Sequence, residues 1–220
     1  HIGKEKHNKW RVKPKDFEKQ MKWFYDNKWN SFTISELIKL DEIPKKSFVV
    51  TFDDGYEDNF INAFPILKKY NFKATIYLVP NQSINHWEEK NTSVLSNLLN
   101  NEQILQMQNT GLIEFGSHTL SHVNLSTIND EQLLIELKKS KEEIEKITRK
   151  ECEAFAYPYG KFDDKIIQAV EEIGYKNATV VKRGLFEKND NPFIIKRIGI
   201  LGTESFVDFL LKVTRIRNKL

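Results

Sequence analysis

The sequence predicts an α/β protein built on a parallel sheet. Short apolar runs of strand length alternate along the chain with stretches whose apolar residues recur at helical spacing, the pattern of βαβ units. The strand-length runs are rich in Val, Ile and Phe and barely alternate, which suits strands buried on both faces. From spacing alone the sheet is open or closed. At 220 residues, 40% hydrophobic and 30% charged, the chain is most simply one domain of ordinary globular balance.

In chain order, Pro14 to about Lys28 reads as a helix, with Phe17, Met21 and Phe24 on one face and Pro14 in its first turn. A short helix follows around Ser35–Leu40. Ser47–Phe52 is too short for a helix and reads as a buried strand. Helical spacing returns over Asp58–Tyr70 through Phe60, Phe64 and Leu67, with Pro65 expected to kink or restart the helix. Lys73–Val79 is the next strand, ended by Pro80. A polar loop holding His86 and Trp87 follows, from Asn81 to about Thr92. Helical segments are expected near Ser93–Leu99 and over Asn101–Asn109, the second stopped by Gly111.

Leu112–Phe115 is read as a strand, and Asn129 as the N-cap of a long helix whose inner face carries Leu133, Leu137, Ile144 and Ile147. Glu153–Tyr157 gives another strand, and Asp163 caps a helix through Ile166, Val170 and Ile173. Strands are expected at Lys176–Val181 and Phe193–Ile200. A last helix starts near Thr203 and turns Phe206, Phe209, Leu210 and Val213 inward. Trp23 and Trp29 are expected to pack the first helix onto the sheet.

Composition narrows the chemistry. The 34 basic residues nearly balance 31 acidic ones, for a net charge of +3. The lysines and arginine at Lys138-Lys139, Lys141 and Arg149-Lys150 read as a solvated helix face, so no nucleic-acid partner is expected. A single Cys152 excludes an internal disulfide and a thiolate metal cage. No stretch approaches the roughly 18 apolar residues of a membrane span. The chain starts at His1 without Met, which fits a trimmed product and leaves the compartment open.

Three motifs fall just after predicted strands: Asp53-Asp54-Gly55 after the first, Ser117-His118-Thr119-Leu120-Ser121-His122 after the third, and Pro158-Tyr159-Gly160 after the fourth. In parallel α/β architectures the loops at the carboxyl ends of strands converge on one face, where sites form. Taken singly, each has a dull explanation: Asp-Gly favours a turn, two His four apart arise on surfaces, and Pro-Tyr-Gly is a loop. Together they describe a hydrolytic metal centre. One Asp and two His suit a divalent metal such as zinc, and the second Asp stays free to act as a base.

The residues Thr51-Phe52-Asp53-Asp54-Gly55, Ser117-His118-Thr119-Leu120-Ser121-His122 and Tyr157-Pro158-Tyr159-Gly160 resemble the first three motifs of the polysaccharide deacetylases, the NodB-homology or carbohydrate esterase 4 family. The resemblance covers about Ser47 to Ile200. The segment from Val12 to Leu40 further resembles the branch that de-N-acetylates poly-β-1,6-N-acetylglucosamine. The family implies a distorted, incomplete (β/α) barrel, with residues 47–220 as catalytic domain and 1–46 as a helical lead-in packed on it. It also implies Asp53 as general base and Asp54, His118 and His122 as ligands of a divalent metal, Zn²⁺ by default, with Co²⁺, Ni²⁺ or Fe²⁺ fitting the same set. The backbone N–H of Tyr159 is then an oxyanion donor, and Tyr159, Tyr56 and Pro158 are expected to line the substrate site.

The pattern is broken in two places. Where the family often carries an Arg that orients the base, Ala156 stands here, and Arg197 is the expected replacement. Many members place an acid His in a late motif, near Leu201-Gly202 in this chain, yet no His follows His122. In the biofilm-matrix branch an acid His lies near the start of the domain, in a Tyr-His-x-Ile/Val segment. His1-Ile2 is similar to the tail of that segment, so the acid is either His1 or a residue just before it. His7 and His86 are weaker candidates.

The implied substrate is an N-acetylglucosamine-containing polysaccharide, de-N-acetylated outside the cytoplasm. Peptidoglycan, chitin oligomers or a lipid-linked sugar fit the same motifs. A binding module that keeps the metal without efficient catalysis is the alternative from another class; the absent late His favours it and the intact Asp53 opposes it. The sequence leaves the oligomeric state open.

Overall fold

The computed structural model describes residues 1–3, 9–88 and 95–214. Five strands, β3 (Val50–Phe52), β4 (Ala74–Leu78), β5 (Ile113–Ser117), β6 (Ala154–Ala156) and β7 (Asn177–Thr179), form one sheet in the order β3-β4-β5-β6-β7, all parallel. A helix links each neighbouring pair: α3 (Phe64–Tyr70), α4 (Asn101–Gln108), α5 (Asp130–Thr148) and α6 (Asp164–Glu172). Sequential parallel order curls the sheet into a half-barrel, the distorted, incomplete barrel expected. Residues of β4, β6 and β7 are buried along their whole length, as strands covered on both faces must be.

Local chemistry explains most boundaries. Pro14 opens α1 (Pro14–Asp26), where its missing N–H costs nothing. Side chains of Asn129 and Asp163 accept the N–H groups of Gln132 and Ile166 and so cap α5 and α6. Ser205 caps the last helix, α7 (Phe206–Val213), two residues later than Thr203. Pro65 does restart its helix. Residues Asn59–Ala63 form a π-helical turn, and Phe64 N–H reaches back to Asn59 O before α3 begins.

Three expectations need correction. Ser47–Phe52 is two strands: β2 (Ser47–Phe48) pairs with β1 (Asn30–Ser31), and the chain then changes partner so that β3 pairs with β4. Phe193–Ile200 is no full strand; Ile195 alone bridges Thr179, and the following residues pair irregularly, Arg197 N–H with Lys182 O and Gly202 N–H with Lys9 O. The helix near Ser93–Leu99 falls partly outside the described residues. Its described part is extended, with Asn97 and Leu98 bridged antiparallel to Ile84 and Tyr56.

Helix α1 packs across α3 and α7. Phe24 stacks on Phe48 at 4.0 Å and meets Phe209 edge-on at 5.5 Å, while Trp23 meets Phe209 at 6.2 Å and Trp29 at 5.9 Å. Such pairs add about 0.5–1.5 kcal/mol each beyond area burial. Helix α2 (Ile34–Lys39) plugs the mouth of the barrel at the amino ends of the strands. Its first N–H groups reach Thr75 Oγ1 at 2.9 Å and Glu114 Oε2 at 3.3 Å, and Asn177 donates to Ser35 Oγ at 3.0 Å. The opposite mouth, at the carboxyl ends, is left for the site.

Candidate metal centre

The first motif sits where β3 ends. Asp54 and Gly55 both take left-handed conformations, φ 72° each. A Cβ on Gly55 would lie 2.7 Å from Leu78 Cδ2, so glycine is required twice over there. The turn sends the two adjacent carboxylates in different directions, Asp53 toward Arg197 and Asp54 toward the histidines.

The histidine loop follows β5 directly. His118 and His122 are both buried, and Thr119 and His122 are left-handed, φ 66° and 57°. Glu136, on α5, holds this loop by accepting N–H bonds from Leu120 and Ser121, both at 2.9 Å. Thr119 Oγ1 accepts from His122 N–H at 2.9 Å. Glu136 carried no signal in the sequence, because a Glu on a helix face looks like any solvated one.

Asp54 Oδ1 lies 3.2 Å from His122 Nε2 and 3.6 Å from His118 Nε2, and the three ligand atoms fall within 4.8 Å of one another. That Oδ1 is buried and has no hydrogen-bond partner. His118 Nδ1–H donates to Ala156 O at 2.7 Å, which leaves the Nε2 lone pair aimed at Asp54. Burial, and then the neighbouring His122, push the His118 imidazole below its ordinary pKa, toward the neutral, ligating form. A buried orphan carboxylate oxygen facing two imidazole nitrogens fits a divalent cation, and the donor set is one zinc accepts.

Asp53 sits beside this cluster. Arg197 grips it with two prongs, Nη1 to Oδ1 at 2.6 Å and Nη2 to Oδ2 at 2.9 Å. Its Nη1 also donates to Thr51 Oγ1 at 3.2 Å and its Nε to Val180 O at 3.1 Å. Burial by itself would raise the Asp53 pKa. The Arg197 guanidinium, helped by His118 and His122, overrides that and holds the carboxyl well below the usual range. The side chain keeps 33% of its surface exposed, so solvent reaches it.

Two aromatic rings bracket His122. Trp87 stacks on it at 4.6 Å, and Tyr159 meets it edge-on at 4.8 Å. Tyr159 is left-handed, φ 58°, and half exposed. Pro158 is buried and starts the turn that carries Tyr159. Tyr56 is also buried, beneath His1: the rings stack at 3.4 Å, so Tyr56 does not offer that face to a sugar. His86 is exposed, and His7 lies outside the described residues. The sequence places Trp87 in a polar loop without tying it to His122, which is 35 positions away and joined to it only by the fold.

The polysaccharide deacetylase family model matches residues 41–178, a stretch that contains both carboxylates, both histidines and Tyr159. The chain belongs to the polysaccharide deacetylase family. Among curated relatives of this deacetylase-family chain, the poly-β-1,6-N-acetyl-D-glucosamine N-deacetylase of Staphylococcus aureus is 31% identical over 198 residues, 85% of this chain and 67% of that one. A polysaccharide deacetylase structure from Bacillus cereus superposes with a TM-score of 0.80 at 31% identity, covering 97% of this chain and 65% of that one. A Streptococcus pyogenes deacetylase solved in complex with acetate gives 0.80 at 25% identity, over 96% of this chain and 93% of that one. The chain thus spans about two thirds of the length of the first two. Among the described residues no helix is long and apolar enough to cross a membrane.

Proposed function

We propose that this chain removes N-acetyl groups from an N-acetylglucosamine-containing polysaccharide, releasing acetate and leaving a free amine on the sugar. The observation that carries the reading is the orphaned Asp54 Oδ1 between two imidazoles, next to a second carboxylate clamped by an arginine. The poly-N-acetylglucosamine N-deacetylase of S. aureus supports the choice of polymer.

Asp54, His118 and His122 would hold the metal, Zn²⁺ or one of Co²⁺, Ni²⁺ and Fe²⁺. When bound, such an ion acidifies water toward a pKa of about 7 and polarises the acetamide carbonyl. Asp53 receives the proton of the attacking water. Arg197 keeps that carboxylate ionised and pointed, with one oxygen edge always engaged. Tyr159, in its left-handed turn, supplies a backbone N–H to the carbonyl oxygen as negative charge builds there. His1 gives a proton to the departing amine nitrogen, which makes the 1–46 lead-in part of the catalytic unit. A polymeric substrate places the work outside the cytoplasm.

Acetate release across poly-N-acetylglucosamine, peptidoglycan fragments and chitin oligomers, with and without chelator, tests the reading. Release from the first, abolished by chelator and restored by Zn²⁺ or Co²⁺, is the expected result. Asp53→Asn separates an enzyme from a binder. An enzyme loses turnover and keeps its metal; a module that only binds sugar keeps its affinity.

A further inference from the structure

Tyr77 fills the barrel interior below the pair formed by Asp53 and Arg197. It stands on β4 opposite Gly116 of β5, is completely buried, and packs with Ala154, Ala156 and Ile195. Alternation along β4 turns Thr75 and Tyr77 into the barrel and sends Ile76 and Leu78 out to the helix layer. The ring has room only because its neighbours are small. A Cβ on Gly116 would lie 2.7 Å from Tyr77 Cδ1 and 2.9 Å from Cε1, and the nearest inward residues of β6 are alanines. A buried tyrosine ordinarily finds a partner for its hydroxyl, but the Tyr77 hydroxyl has none. The side chain is used through its ring.

What the ring meets is a cation. The Arg197 guanidinium carbon stands 5.9 Å over its centroid, in a side chain that is only 17% exposed, so the attraction between cation and ring face is little screened. The edge of the guanidinium is already committed, Nη1 and Nη2 to Asp53, Nη1 to Thr51 and Nε to Val180 O. Those N–H bonds lie in the plane of the group. They hold it by its rim and leave a tilt out of the plane to be resisted by whatever lies against its face. We propose that Tyr77 is a positioning residue for Arg197: its ring is the floor that stops the guanidinium from tilting into the barrel, and so keeps both prongs on Asp53. The inference rests on the reading of Asp53 as the base and adds the residue beneath its clamp. With the ring gone, Gly116, Ala154 and Ala156 leave nothing to fill the space. The carboxylate then loses its aim, and misplacement by about 1 Å costs such steps up to about 100-fold.

The experiment is a double-mutant cycle on the Zn²⁺-loaded protein with Tyr77→Met, Arg197→Met and the pair, together with Tyr77→Phe, following acetate release and bound metal. Methionine fills much of the volume of the ring without its π face. Tyr77→Met should lower kcat by about 5- to 30-fold with KM and metal content unchanged. Tyr77→Phe keeps the ring and should stay within about twofold of the parent. In the Arg197→Met background, Tyr77→Met should cost nothing further. An equal loss in both backgrounds would mean that Tyr77 only fills the core, and overturns the proposal. A loss shared by Tyr77→Phe overturns it too, since the hydroxyl and not the ring would then be at work. Loss with Arg197→Met but none with Tyr77→Met sinks the floor and leaves the reading of Asp53 standing. No loss with Arg197→Met removes the clamp on the base and this inference with it. Tyr77→Leu carries the same comparison where Tyr77→Met folds poorly.

Discussion

Arg197 meets Asp53 across the gap in the half-barrel. The arginine follows Ile195, which pairs with the edge of β7, and its guanidinium reaches over to Thr51 on β3, the other edge strand, and to Asp53 just after it. Beneath it lies the ring of Tyr77, 5.9 Å from the guanidinium carbon. A sheet that does not close by hydrogen bonding is therefore joined at the carboxyl end of its strands by a two-pronged ion pair. Both oxygens of Asp53 are fixed, as the proposed base would require.

Replacing Arg197 should damage catalysis before it damages metal binding. Arg197→Met is expected to lower kcat by about 10- to 100-fold while metal content stays stoichiometric, and Arg197→Lys should recover only part, because a single ammonium cannot fork. The pH dependence follows in sign. Asp53 has a folded pKa below its ordinary 3.8, so the pair stabilises the fold fully above that value and the contribution fades as pH falls through and below it. In Arg197→Met the carboxyl is left with its burial uncompensated and takes up its proton at higher pH. Thermal melts between pH 3 and 7 should show the variant losing stability earlier on acidification, and the acid limb of kcat/KM should move up with it.

Metal removal should be visible in stability as well as in turnover. Asp54 Oδ1 is buried with no hydrogen-bond partner, so the site without an ion carries an uncompensated carboxylate oxygen. Chelation is expected to lower Tm, and Zn²⁺ at 100 times its Kd should restore about 2.7 kcal/mol. His122→Gln and Asp54→Ala should abolish the response to Zn²⁺ in a thermal melt. An unchanged Zn²⁺ shift in either variant would show the ion bound elsewhere.

The cluster of Asp54, His118 and His122 was legible in the sequence because each lies in a contiguous motif directly after a strand, and parallel topology brings strand ends together without further information. Arg197 was named only through the family resemblance, as the replacement for the arginine missing at Ala156, and the fold brings it to Asp53. Trp87 and Glu136 were not legible, because what defines them is a partner 35 or 16 positions away rather than a local pattern. The split of Ser47–Phe52 was hidden for a similar reason. Its residues are mostly apolar, and only the change of partner from β1 to β4 divides them.

Trp87 offers an optical report on the site. Its ring lies 4.6 Å from that of His122, whereas Trp23 and Trp29 pack against α1 and the sheet. Loading with paramagnetic Co²⁺ or Ni²⁺ should quench part of the tryptophan emission, and Zn²⁺ should not. The quenched part should vanish in Trp87→Phe, which keeps an aromatic face on His122 and should keep most activity. Quenching that survives in Trp87→Phe would mean that another tryptophan reports on the ion and that Trp87 is not its neighbour.

Cys152 should be silent until the protein unfolds. It is buried between α5 and β6, 1% exposed, and burial pushes its thiol well above the ordinary 9.0 despite the nearby Lys141 ammonium, whose Nζ donates to Cys152 O at 2.7 Å. The native protein should not react with a disulfide reagent at pH 8, and one thiol should titrate in denaturant. The sign of the linked effect is fixed. A thiol whose pKa is higher folded than unfolded favours the fold below about pH 9 and works against it as pH rises further, because only the unfolded chain can ionise there. Cys152→Ala removes that penalty while leaving a small cavity, so its melting temperature should fall at pH 7 and the deficit should narrow toward pH 10. A deficit that stays constant with pH would mean the thiol ionises equally in both states and is not sealed from solvent.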